Sequence, residues 1–257
     1  MLKLRLPLAL CIILLLSSCA NHVTFRQNPN FDREDLKDGK IIVLPSEAIV
    51  HTAGFTGAAK DRMYEYEEHI ENIINKKVIS VLQKQGYDVR LISPQTIEAQ
   101  RLSSQVLDIK ERFSTEVDKL YARQLMPEAE AMNIQNNIGG GVIKISDGNA
   151  HKKTWILICN YSHIAKTNGA RVAGVVMDVL LGTRMSDDAE KSTMIIGLID
   201  HKTGDIAWSN LHSTSINAIA SAVSGAGKSD EKRDKSEISS MVKTTTAPLF
   251  AKNSSKK

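Results

Sequence analysis

Lys40-Ile41-Ile42-Val43-Leu44-Pro45 is a run of β-branched and aliphatic residues stopped by a proline, and it reads as the first strand of a sheet. The segment after it decides the architecture. From Asp61 onward, Tyr66, Ile70, Ile73, Ile74, Val78, Val81 and Leu82 recur at helical spacing, with Glu67, Glu68, Glu71, Lys76, Lys77 and Lys84 on the remaining faces. Gly86 stands where a helix ends on a left-handed residue. Tyr87-Asp88-Val89-Arg90-Leu91-Ile92 then alternates as a second strand. A strand, a long helix and a strand make a right-handed crossover, which predicts a parallel pair.

Working outward, Ser46 to Lys60 is rich in Gly, Thr and Ala and reads as a connection holding His51, Phe55 and Gly57. Ser93-Pro94 is an N-cap with proline at the first helical position, and helical composition with a break or two runs to about Ala131. Thr154-Trp-Ile-Leu-Ile-Cys-Asn-Tyr161 reads as a buried strand. Thr193–Asp200 and Asp205–Asn210 flank His201-Lys-Thr-Gly204, a hairpin whose turn needs the positive φ of Gly204. The apolar stretch Val172–Leu181 is too short to span a bilayer and holds Asp178, so it reads as a buried or partner-facing helix. Ile216–Val223 is apolar at helical spacing, Ser224–Ser236 is charged and loop-like, and Glu237–Phe250 carries Ile238, Val242 and Leu249 as a short closing helix. The expected fold is α+β: a mixed β-sheet with long helices packed against it, an antiparallel C-terminal hairpin, and one globular domain over residues 40–215. Residues 216–257 come next as a helical segment, charged loop and tail.

At the other end, a basic start with Lys3 and Arg5 precedes the apolar run Leu6–Leu16. Small residues after it complete the parts of a secretory signal. The run is well short of the roughly 20 apolar residues a span requires, and it contains Pro7. The small residues end in a cysteine: Leu16-Ser17-Ser18-Cys19 resembles the lipobox of bacterial lipoproteins. The resemblance implies that Cys19 takes a diacylglyceryl group, that residues 1–18 are removed as a signal peptide, and that the new amino terminus is acylated. Ala20 comes after Cys19, which by resemblance to enterobacterial sorting favours the outer membrane, with the domain facing the periplasm. Several acyl chains hold firmly, because each buried methylene contributes about 0.8 kcal/mol. Residues 19–39, polar and marked by the turn signals Asn28-Pro29-Asn30 and Asp38-Gly39, read as the lipidated cysteine and a flexible tether. Extended at about 3.3 Å per residue, such a tether reaches several tens of ångströms.

Composition narrows the function classes. The formal charge is +4, and Lys3 and Arg5 leave with the leader, so the mature chain carries about +2. That is no nucleic-acid signature. Cys11 leaves with the leader and Cys19 carries lipid, so Cys159 is left without an internal disulfide partner, and the fold rests on its hydrophobic core.

Ile41-Ile42-Val43-Leu44-Pro45, a long helix ending at a glycine before a short strand, and Leu198-Ile199-Asp200-x-x-Thr203-Gly204-Asp205-Ile206-x-Trp208 occur together here. In that combination the chain resembles the domain shared by the TolB amino-terminal module, the curli secretion lipoprotein CsgG and the penicillin-binding-protein activator LpoB. The resemblance spans roughly residues 40–215. It implies helices against one mixed sheet and a role in binding other envelope components. Neither the repeated blades of a propeller nor a pair of long alternating hairpins is present, and no partner-binding residue carries over.

Catalytic and cofactor chemistry is not expected. Ala222-Val-Ser-Gly-Ala-Gly227-Lys228-Ser229 approximates a phosphate-binding loop, but no strand precedes it, a charged run comes after it, and its first glycine is alanine, so no nucleotide is expected. Cys159 and His163 on one strand would share a face about 13 Å apart, too far to hold one metal ion. His151, His201 and His212 sit at loop or hairpin positions without paired spacing. No G-x-S-x-G elbow is present. The Glu65, Glu67, Glu68 and Glu71 cluster reads as a solvated helix face that suits the helix dipole. The expectation is therefore a membrane-held, non-enzymatic binding or assembly component. Its partner is an envelope protein or a second copy, with Val172–Leu181 and Ser46–Lys60 as candidate contact surfaces. A homo-oligomeric secretion-associated ring resembling CsgG and a periplasmic small-ligand binder remain as alternatives.

Overall fold

The computed structural model of the chain describes residues 22–52, 58–140, 153–165, 191–215 and 231–251. In chain order the elements are β1 (His22–Val23), β2 (Arg26–Gln27), α1 (Glu34–Asp38), β3 (Lys40–Val43), β4 (Glu47–Thr52), α2 (Ala58–Lys84), β5 (Asp88–Leu91), α3 (Pro94–Ala99), α4 (Ser103–Leu120), β6 (Met126–Pro127), α5 (Glu128–Ala131), β7 (Thr154–Ala165), β8 (Lys191–Asp200), β9 (Ile206–Ser215) and α6 (Glu231–Phe250).

Seven strands form one mixed sheet: β2-β9-β8-β7-β3-β5 in order, with β4 also paired to β7. β3 is parallel to β5, as the crossover predicts, and it is parallel to β7 as well. β8 pairs antiparallel with β7 and with β9, giving the expected hairpin. One edge of β7 is shared end to end by β3, opposite Thr154–Leu157, and β4, opposite Asn160–Ala165. The break between β3 and β4 falls at Leu44-Pro45-Ser46, where proline cannot donate to a ladder. A separate two-stranded sheet joins β1 to β6.

The strict alternation of the strands divides the interior in two. Ile41, Val43, Trp155, Leu157, Cys159, Met194, Ile196 and Leu198 meet Tyr66, Ile70, Ile74, Val78 and Leu82 of α2 and Ile238, Met241, Val242 and Leu249 of α6. Ile42, Leu44, Ile156, Ile158 and Ile199 point the other way, onto Val106, Ile109, Phe113, Val117 and Leu120 of α4. The α2 residues at every fourth position are the apolar stripe read from the sequence. On β8 the α4-facing position between Ile195 and Ile199 is Gly197, and the Phe113 ring occupies the space where its Cβ would stand.

Local signals explain the helix ends. Gly86 (φ +84) closes α2 in a Schellman motif, with Tyr87 N donating to Leu82 O and Gly86 N to Gln83 O. Ser93 Oγ accepts from Thr96 N at 3.1 Å, the cap expected of Ser93-Pro94.

Three expectations are corrected. The tether ascribed to residues 19–39 is folded from His22 onward: β2 joins the main sheet, Leu36 is fully buried, and Phe31 packs edge-on against Trp155 with ring centroids 5.4 Å apart. The connection ascribed to Ser46–Lys60 contains strand β4 and the first turn of α2. The segment assigned outside the domain, 216–257, contributes α6 to the main core, and that helix begins at Glu231 inside the stretch read as a charged loop. Val172–Leu181, Ile216–Val223 and the Ala222–Ser229 loop lie outside the described residues.

Candidate functional site

The N-terminal corner of the domain is built around Arg26, whose side chain is wholly buried. Its Nε donates to Leu120 O at 3.0 Å, at the C-terminal end of α4, where the carbonyls lack intrahelical partners. Its Nη1 faces Val23 O, Thr24 O and Phe25 O at 3.1–3.3 Å, and its Nη2 faces Arg123 O at 2.5 Å and Gln124 O at 3.2 Å. The guanidinium lies over the Tyr121 ring at 4.8 Å. Burial pulls its pKa down from the ordinary arginine value, and Tyr121 counters that. Six carbonyl dipoles compensate the buried cation.

The same corner is tied to the rest of the fold. Arg26 pairs with Ser209 of β9, and Tyr121 Oη donates to Ser209 Oγ at 3.0 Å. Thr24 Oγ1 donates to Asn210 Oδ1 at 2.7 Å, and Asn210 Nδ2 donates to Thr245 O of α6 at 2.8 Å. In the small sheet His22 lies opposite Pro127 and Val23 opposite Met126. Beside it Leu125 is 54% exposed, Met126 and Pro127 are partly exposed, and Arg123 reaches Glu130 at 3.6 Å. Sequence reasoning missed this corner. Its only trace in the sequence is one arginine between short polar runs, with no periodicity to mark strands of two residues.

A second polar assembly lies on the free edge of β4. Ser46 N and Oγ both donate to Asn75 Oδ1, at 3.0 and 2.8 Å. Ala48 N donates to Glu71 Oε1 at 3.1 Å and Val50 N to Glu67 Oε1 at 2.7 Å. Alternate residues of a strand point their N–H groups to the same side, and residues four apart on a helix lie on one face. The helix therefore presents three acceptors in step with three strand donors, where another strand would otherwise pair. Burial raises the Glu71 pKa, with the Ala48 amide and Lys110 opposing it and the charges of Glu47 and Glu67 adding to it. Glu67 and Glu71 are thus not the solvated face expected of them; Glu65 and Glu68 are exposed.

A third group is internal. Ser192 Oγ lies 3.0 Å from Tyr161 Oη and 2.8 Å from His163 Nδ1, all three side chains buried. His163 and Ser192 are register partners on β7 and β8. Asp234 of α6 is buried, and the charges of Glu237 and Asp234 raise the Tyr161 pKa after burial itself. This cluster joins the far end of the sheet to α6.

Cys159 and His163 do lie on one face of a continuous strand with Tyr161 between them. Among the described residues no group of three metal-ligating side chains converges. Cys159 is buried, and burial pushes its thiol up to about 12, with the neighbouring Ser46 side chain opposing the shift. His201 stands in the hairpin turn. His212 stands on a strand of the hairpin, half-buried within β9, and burial lowers its pKa. Cys19 and His151 lie outside the described residues. No helix among the described residues is long and apolar enough to cross a membrane.

No family model matches the chain, and no curated protein matches it in sequence. Among solved structures it is similar to the PelC dodecamer from Paraburkholderia phytofirmans, with TM-score 0.34 and 12% identity, over 89% of this chain and 96% of that one. It is also similar to a homolog of neuraminyllactose-binding hemagglutinin from Helicobacter pylori, with TM-score 0.34 and 8% identity, over 88% of this chain and 89% of that one. Likeness at this level bears on neither partner nor assembly.

Proposed function

We propose that this protein is a lipid-anchored component of the bacterial cell envelope, held at the outer membrane through Cys19, which binds or assembles other envelope proteins without a reaction of its own. The observation that carries the reading is Leu16-Ser17-Ser18-Cys19 behind a basic start and a short apolar run. The chemistry of the fold is consistent with it. Arg26 is occupied by backbone carbonyls, Glu67, Glu71 and Asn75 by the edge of β4, and Tyr161, Ser192 and His163 by one another. These groups hold elements together, which suits a rigid binding module.

Cross-linking of the native protein in intact cells, with identification of the proteins that co-purify, tests the reading, and Cys19→Ala is the unanchored control. One dominant envelope protein, captured by the native protein and lost in the control, is the expected result. Capture only of further copies of this chain would replace the adaptor with a homo-oligomer. If no protein cross-links and a metabolite raises the melting temperature instead, the reading fails in favour of a ligand binder.

A further inference from the structure

The folded N-terminus changes where the domain sits if Cys19 is acylated, and the position derived for it rests on the anchor of the proposed function. β1 begins at His22, leaving Ala20 and Asn21 between it and Cys19. Three residue steps reach about 10 Å at most. His22 is paired with Pro127, about 5 Å across the antiparallel ladder. Leu125, just before β6, is two residues from Pro127, at most about 7 Å away. An acylated Cys19 therefore brings the bilayer surface to within roughly 20 Å of Leu125, less than the width of the domain.

We infer that the β1–β6 corner is a membrane-contacting surface, with Leu125 as its apolar contact and Met126 and Pro127 beside it, so that the domain rests on the lipid surface next to its own anchor. Three observations carry this. The chain before β1 is too short to let the domain stand off. Leu125 is 54% exposed beside β1, where the described residues begin. And the corner is rigid, since Arg26 binds carbonyls on both sides of it, at Val23–Phe25 and at Leu120, Arg123 and Gln124. A rigid corner transmits the constraint of the anchor to the whole domain. The other exposed large hydrophobic residues, Ile49 on β4, Leu107 and Tyr64, lie elsewhere. Leu107 is on α4, roughly 20 Å along the helix from Leu120 at 1.5 Å per residue, and Tyr64 is on α2.

The test uses the lipidated full chain in vesicles of phosphatidylethanolamine and phosphatidylglycerol, with an environment-sensitive fluorophore on Leu125→Cys, Leu107→Cys or Tyr64→Cys. Labelling is selective, because Cys159 is buried and acylation removes the Cys19 thiol. The mass of the N-terminal peptide is read on the same samples. The expected result is blue-shifted emission at position 125, quenched several-fold by spin-labelled lipid and shielded from aqueous iodide, with positions 107 and 64 quenched by iodide alone. An acylated Cys19 with position 125 as accessible to iodide as position 107 overturns the membrane contact and leaves the anchor standing. An unacylated Cys19 overturns both.

Discussion

The edge of β4 offers the sharpest test of how this fold is held. Glu67→Ala removes the acceptor of Val50 N, a 2.7 Å hydrogen bond to a carboxylate. Hydrogen bonds to charged groups contribute about 1.5–3 kcal/mol net, and the partial exposure of Glu67 places this one near the lower end. A loss of about 1.5 kcal/mol lowers the melting temperature of a chain this size by about 3–6 °C. Glu67→Gln keeps an oxygen acceptor and is expected to lose less than half as much. Urea titration gives the free energies, and amide exchange locates the effect, since Val50 N–H should lose protection ahead of the sheet centre. An alanine variant within about 0.5 kcal/mol of the native protein, with Val50 protection unchanged, would refute the idea that the helix stands in for a strand here.

Glu71 adds an expected pH dependence. Burial first, then the charges of Glu47 and Glu67, raises its folded pKa above the unfolded value, while the Ala48 amide and Lys110 oppose the shift. A raised pKa contributes stability that is present below the unfolded pKa and lost as pH rises through the folded one. The stability of the native protein relative to Glu71→Gln should therefore fall as pH rises through the carboxylate range and level off above it. Single contacts give three more expected outcomes. Gly197→Ala places a methyl group inside the Phe113 ring position and is expected to cost about 1–3 kcal/mol in urea titration, partly recovered by Phe113→Leu. Arg26→Met leaves carbonyls of Leu120, Arg123 and Gln124 without a donor and is expected to destabilise by about 3 kcal/mol; Arg26→Lys should rescue little, since an ammonium cannot span both groups of carbonyls. The Cys159 thiol, pushed up to about 12 by burial, should react with a disulfide reagent at neutral pH only after denaturation, and rapid reaction of the folded protein would contradict its burial.

The parts of the fold legible in the sequence were those with a period. β3, α2 and β5 could be read from apolar spacing, and the ends of α2 and of the β8–β9 hairpin from Gly86 and Gly204, both of which adopt positive φ. β1 and β2, at two residues each, are too short to show alternation, so the ordered segment they begin resembled a tether. The Glu67–Glu71–Asn75 spacing was visible as one helix face, but a helix face does not reveal that a strand edge lies opposite. His163 and Ser192 meet because β7 and β8 adopt one register, which two separate strands in a sequence do not specify. The lipobox belongs to a different kind of signal, local and chemical, which needs no tertiary partner to be read.

The most direct measurement is the intact mass of the protein recovered from the outer-membrane fraction of cells that make it. A lipid-anchored protein gives a chain beginning at Cys19 and carrying diacylglyceryl and N-acyl groups on that residue. A chain that retains residues 1–18, or one that begins elsewhere with Cys19 unmodified, contradicts the anchor and the membrane-resting domain built on it.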